Sequence, residues 1–287
     1  MSETPPFTLT EPARLTTGAV FNSPHSGRAY PDVLIRESRL DSHALRASED
    51  ALVDDLFAAA PAHGAPLLAA TYPRAWVDLN RAPGELDPAL IRDVRAQGLN
   101  QRVAAGLGVV PRIVAEGTAI YSGKIPREAA EARIDGIHVP YHRQLDALLT
   151  RARDMFGRAV LFDCHSMPSD ALRAAPRVRG ELPQIVLGDR FGAAAARHII
   201  AETQAAFEAE GFLVARNAPF AGGYITQRYG RPSRGFHAIQ VEIDRGLYLD
   251  QARVEANPAF EEVRGRLSAV VARLVDIPGR MPALAAE

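Results

Sequence analysis

The residues able to do chemistry in this chain gather at the ends of short apolar runs. Residues 159–166 read Ala-Val-Leu-Phe-Asp-Cys-His-Ser, an apolar stretch that stops at an acid, a thiol and an imidazole. A run of that length without helical period fits a strand covered on both faces, and ligands of such sheets collect beyond the carboxyl ends of the strands. His165 therefore stands where a site is expected, whether as a metal ligand, a proton relay or a satisfied core group. The pattern recurs at residues 19–22, which lead into Ser23-Pro24-His25-Ser26-Gly27. Pro24 lacks an N–H and Gly27 permits a tight turn, so His25 sits on constrained backbone. Residues 76–79 alternate as a further strand toward Asn80-Arg81, and an arginine beside an amide can clamp a carboxylate. Residues 237–243 alternate strictly, with Gln240 and Glu242 on one face and apolar residues on the other. Ser48 followed by Glu49 and Asp50 reads as the start of a helix, where acids ordinarily serve the helix dipole but can also face a metal.

Two strand-tip histidines far apart in sequence, with one carboxylate, match the ligand set that holds catalytic zinc and leaves a position open for water. A further carboxylate would then act as general base and an arginine would hold the substrate, roles for which Glu242 and Arg81 are the natural occupants. His138 and His142, one helical turn apart, can also grip a metal, but the glutamate of an HExxH arrangement is absent. Paired Gly222 and Gly223 suggest backbone pressed against a ligand or another segment. No GxSxG elbow, phosphate loop or dinucleotide fingerprint is present.

The elements that must position these residues alternate between strand and helix. Strands are expected at residues 65–72, 184–187 and 212–215 as well as those above. Helices are expected from residue 38 through Phe57, from residue 126 through Leu149, over 191–211 and over 258–277. Residues 82–125 read as a long Gly- and Pro-punctuated excursion, residues 1–17 as a loose arm and residues 278–287 as a tail. Without a repeat or linker, the economical reading is one α/β domain spanning residues 1–287.

Composition narrows the class. The chain has 287 residues, 47% of them apolar, enough for a substantial core. A single cysteine, Cys164, rules out an internal disulfide framework and fits a reducing, cytoplasmic setting. No secretory leader pattern opens the sequence, and no apolar run is long enough for a membrane span. A net charge of −1, without a basic stripe, argues against nucleic acid as a partner and leaves a small-molecule substrate. Nothing in the sequence specifies the number of subunits.

Taken together, SPHSG (23–27), VDLNR (77–81), PYH (140–142), DCHS (163–166), FAGGYITQRYGRP (220–232) and HAIQVEI (237–243) resemble the N-formylglutamate amidohydrolase family, in its order, over roughly residues 20–250. The resemblance implies a zinc carboxypeptidase- and aspartoacylase-like fold, a mixed β-sheet flanked by helices with the metal at the strand ends. The implied reaction removes formate from N-formyl-L-glutamate, a step of histidine degradation. It also implies one zinc held by His25, His165 and a carboxylate. Asp50 aligns with the family position, although the family usually has Asp-Thr-Asp there, so adjacent Glu49 is the alternative. Glu242 would activate water, and Asn80 and Arg81 would receive the substrate carboxylates. His142, Gly222, Gly223, Thr226 and Gln240 lie in the matching motifs as further substrate contacts. Relatives acting on other N-acyl amino acids, and a metal- or carboxylate-binding protein without turnover, are the alternatives.

Overall fold

One mixed sheet of seven strands runs through this computed structural model, which describes residues 4–95, 98–114 and 117–280. In chain order the strands are β1 (Phe7–Thr10), β2 (Ala19–Ser23), β3 (Leu67–Ala70), β4 (Ala159–Met167), β5 (Ile185–Gly188), β6 (Val214–Arg216) and β7 (Phe236–Asp244). Their spatial order is β1-β3-β2-β4-β7-β5-β6. The central strands β3, β2, β4 and β7 are mutually parallel. β1 is antiparallel to β3, β5 is antiparallel to β7, and β6 is parallel to β5.

The longest pairing, between β4 and β7, sets Asp163 opposite Gln240 and His165 opposite Glu242. Strand side chains alternate between faces, which sorts this pair into chemistry and core. Phe162, Cys164, Ile239, Val241 and Ile243 join one core, beneath α1 (Val53–Leu56), α3 (Arg197–Ala209) and α5 (Phe260–Leu274). There the rings of Phe21 and Phe162 stack with centroids 5.0 Å apart, each buried aromatic contributing on the order of 2 kcal/mol by area. Leu161 and Ala238 face the opposite core, beneath α2 (Val139–Phe156) and α4 (Tyr224–Tyr229). Asp163, His165, Gln240 and Glu242 share that second face, nearer the carboxyl ends of their strands, where apolar packing gives way to polar contacts.

The expected helix from residue 126 forms as Arg127–Arg133 and α2, joined by a wide turn at Ile134–His138. Pro140 cannot supply the N–H that a regular helix would use, and a wide turn absorbs the missing bond. Among the described residues, no helix is long and apolar enough to cross a membrane.

Four expectations about the elements are corrected. The helix expected from residue 38 through Phe57 is broken into Ser42–Leu45, a tight turn at Arg46–Ser48, and α1. Between them Glu49 is extended and Leu52 is left-handed, at φ 63°, so the acids lie in a connection and not in a helical first turn. Residues 76–79 form no strand: the Asp78 N–H bonds the Val109 carbonyl, and its side chain folds inward onto other side chains. The helix expected to begin at residue 191 begins at Arg197, after a turn in which Arg190 and Phe191 have positive φ. The N-terminal arm is not loose over Phe7–Thr10, because its alternating residues add β1 to the sheet edge and seat Phe7 edge-on against Tyr141 at 6.2 Å. Of the expected tail, residues 281–287 lie outside the described residues, while Ile277–Gly279 forms a tight helical turn.

Candidate functional site

The ends of β2, β4 and β7 meet the connection carrying Glu49 and Asp50, and this junction gathers most of the residues singled out from sequence. His25 follows β2 directly, and its carbonyl accepts the Asp50 N–H at 3.0 Å, tying the connection to the strand end. His25, Asp50 and His165 are all buried, and each offers a ligand atom within 4.8 Å of the others. Asp50 divides its two oxygens between separate tasks. Oδ1 accepts from Arg245 Nη2 at 2.9 Å and from Ser166 Oγ at 3.4 Å. Oδ2 lies 3.0 Å from His165 Nδ1 and 3.4 Å from His25 Nδ1.

The far side of each imidazole faces another acid. His25 Nε2 is 2.7 Å from Asp78 Oδ1, and Asp78 is itself held by Arg74 Nε at 2.9 Å and by the Asn80 N–H at 2.8 Å. His165 Nε2 is 3.1 Å from Asp163 Oδ1, although the contact lacks hydrogen-bond alignment, and both oxygens of this fully buried carboxylate are without a hydrogen-bond partner. His25 Nδ1 is likewise buried without a hydrogen-bond partner.

This arrangement fits a divalent cation. Two imidazole Nδ1 atoms and one carboxylate oxygen converge, and a carboxylate stands behind each ring, the support that fixes tautomer and orientation in histidine-ligated metal sites. The charge balance agrees. With no cation present, burial lowers the His165 pKa but nearby Asp163 and Asp50 outweigh it, raising the ring well above its ordinary value. Burial opposes ionisation of Asp50, yet hydrogen bonds to His165 and His25 hold its carboxyl well below the usual range. The acids thus demand positive charge at the point where the two rings meet.

Glu242 shares a cavity of about 430 Å³ with His25, Asp50 and His165. Gln240 Nε2 donates to Glu242 Oε1 at 2.7 Å, and the Gly223 N–H donates to Gln240 Oε1 at 2.8 Å. Because an N–H must meet an oxygen, the Gly223 contact sets the orientation of the amide. Glu242 Oε2 has no hydrogen-bond partner among the described residues. Burial raises the Glu242 carboxyl to about 7, against the opposite pull of His165, which puts it in the range suited to accepting and returning a proton.

Comparison with known proteins identifies the family. The profile of the N-formylglutamate amidohydrolase family matches residues 17–249. The chain belongs to this family. It is 32% identical to the crystal structure of N-formylglutamate amidohydrolase from Ralstonia eutropha JMP134, covering 94% of this chain and 97% of that one with a TM-score of 0.87. It is similar to N-formylglutamate deformylase of Pseudomonas putida, 29% identical over 81% of this chain and 82% of the relative. With the Pseudomonas aeruginosa N-formylglutamate deformylase it shares 33% identity over 66% of each chain.

Within this family member, Asn80, Arg81, Gly222, Gly223 and Gln240 line the same cavity as Glu242. Asn80 spans its wall, with Oδ1 accepting the Ile225 N–H at 2.8 Å and Nδ2 lying 3.2 Å from His165 Nε2. Arg81 Nε donates to the Leu107 carbonyl at 2.9 Å and Nη1 to the Asn80 carbonyl at 2.9 Å, while Nη2 makes no hydrogen bond among the described residues. Gly222 has φ 122°, and a Cβ on Gly223 would overlap the Asn80 amide, so both positions call for glycine.

Three expected contacts are turned away from the cavity. Glu49 accepts from Tyr30 Oη at 2.6 Å and from Arg46 Nε at 3.0 Å, so the alternative carboxylate is committed to a structural ion pair. Thr226 is fully buried, its hydroxyl donating to the Gly223 carbonyl at 2.9 Å. His142 Nε2 donates to the Leu79 carbonyl and Nδ1 meets Tyr229 Oη, both at 2.9 Å, while His138 Nε2 donates to the Arg81 carbonyl at 2.9 Å. The helical pair grips the backbone of residues 79–81 and leaves the site to other residues.

Sequence reasoning missed Asp78, Asp163, Arg74, Arg102 and Arg245. Asp78 and Asp163 stood inside the quoted motifs VDLNR and DCHS, which was the available signal. Arg74 and Arg102, which line the cavity, and Arg245, behind Asp50, carried none.

Proposed function

We propose that this chain is a metal-dependent amidohydrolase that removes the formyl group from N-formyl-L-glutamate. The observation that carries the reading is that the Glu242 carboxylate lines one cavity with the His25, Asp50 and His165 cluster, from a strand position directly opposite His165. Zinc suits the donor set of two imidazoles and a carboxylate. A divalent cation bound there would polarise the amide carbonyl and make water more acidic.

The remaining work belongs to the chain. Glu242 Oε2 takes a proton from the attacking water and delivers it to the departing nitrogen, while Gln240 keeps Oε1 occupied and the carboxylate aimed. Arg81, fixed through Nε and Nη1, presents Nη2 to a substrate carboxylate, with Arg102 and Arg74 on the same cavity wall as further cations. Two carboxylates on the substrate match this excess of arginine. Arg245 and Ser166 hold Asp50 Oδ1, leaving Oδ2 for the cation. Asp78 and Asp163 orient the two imidazoles.

Zinc-loaded protein offered N-formyl-, N-acetyl- and N-succinyl-amino acids, with released amine measured, tests the reading. Release from N-formylglutamate is expected, and its absence with zinc bound would overturn the assignment.

A further inference from the structure

The cavity does not end at Glu242. A second chamber of about 370 Å³ adjoins it, and Arg74, Leu107, Ser166, Phe220 and Glu242 line both. The two differ in chemistry. The first holds Arg81, Arg102 and Asn80, whereas the second, although Arg245 and Ser48 also line it, is walled mostly by apolar side chains, among them Leu107, Pro111, Ile113, Met167, Pro168 and Phe220. Its walls are anchored: Met167 is buried at the end of β4 with Phe220 packed on its cluster, and Leu107 is bonded to Arg81 through its carbonyl.

We propose that the apolar chamber is an acyl pocket, and that the substrates of this chain include N-acyl-glutamates whose acyl group is larger than formyl. The proposal rests on the deacylase reading above and names its substrate class. A substrate whose carboxylates lie among the arginines of the first chamber, with its amide at Glu242, directs its acyl group across Glu242 into the second. A formyl group is comparable to a water molecule, whose share of liquid volume is about 30 Å³, so it would leave most of the chamber unused. An unbranched chain of three or four carbons fits, and its methylenes would be removed from water against Ile113, Met167 and Phe220.

Binding measured without turnover separates this idea from the reaction. Calorimetric titration of the zinc-loaded Glu242→Gln variant with N-formyl-, N-acetyl- and N-butanoyl-glutamate is expected to show affinity rising with chain length. Each buried methylene should contribute about fourfold, giving on the order of tenfold or more between formyl and butanoyl. Adding Ile113→Trp, which fills the chamber, should abolish the rise, and Phe220→Ala, which removes a wall, should reduce it. Affinity that falls with chain length, or a rise unaltered in both variants, would overturn the proposal. Failure of the wild-type protein to release formate from N-formylglutamate would instead count against the deacylase reading itself.

Discussion

His142 makes the stability of this fold depend on pH, and the size of the effect follows from its surroundings. Burial pushes its imidazole down to about 3, with the neighbouring His138 adding to the shift. A carbonyl cannot donate, so Nε2 carries a proton toward Leu79, while Tyr229 Oη, which donates to the His142 carbonyl at 3.0 Å, lies 2.9 Å from Nδ1. In the unfolded chain an ordinary histidine titrates near 6.5. The folded value lies below the unfolded one, so between these pH values the unfolded chain binds the extra proton. The contribution is therefore fully present above pH 6.5 and is lost as pH falls toward 3. Taking those two values, linkage gives a loss of about 2 kcal/mol between pH 8 and pH 5. Urea unfolding of the wild type and of His142→Gln, which can still donate toward Leu79, measures it. The variant should start less stable at pH 8 but lose about 2 kcal/mol less on going to pH 5. Parallel pH profiles for the two proteins would show that His142 is not the group responsible.

Other substitutions probe the site's supports. Arg245→Met strips a charge partner from buried Asp50 and should cost about 3 kcal/mol together with weakened zinc binding; unchanged unfolding and metal content would remove Arg245 from the account. Gly223→Ala places a methyl group against the Asn80 amide and should cost about 1–3 kcal/mol by overpacking, with a fall in kcat through the Gln240 contact; a fully active, stable variant would contradict it. Arg81→Lys retains the charge but loses the planar fork, so KM for N-formylglutamate should rise about tenfold or more with a smaller change in kcat. Equal cleavage of a formylated amine lacking any carboxylate would refute the role given to Arg81.

What the sequence disclosed about this site follows a physical division. His165 and Glu242 were legible because apolar runs ending in polar residues mark strand ends, and parallel pairing then sets those ends side by side. The choice between Asp50 and Glu49 was not, because it depends on which way each side chain leaves an irregular connection. That direction is decided by Arg46 and Tyr30 on one side and by Arg245 on the other. Two histidines a helical turn apart look the same in sequence whether they bind a ligand or hold a neighbouring backbone. Only the packing of α2 against residues 79–81 commits His138 and His142 to the second use. The misread helix from residue 38 had apolar residues at helical spacing, and the tie from Asp50 to the His25 carbonyl breaks it. Asp78 and Asp163 lay beside recognised residues, but support for an imidazole is a relation in space that spacing along the chain does not encode.

The most direct test of the account is formate release from N-formylglutamate by the Glu242→Gln variant at full zinc occupancy. Glutamine preserves the shape and the hydrogen bond with Gln240 but cannot take a proton from water. Turnover should fall on the order of 10²- to 10⁴-fold, the usual worth of general acid–base catalysis, with zinc content and unfolding midpoint unchanged. Near-normal turnover by the fully loaded variant would contradict the assignment of Glu242 as the base.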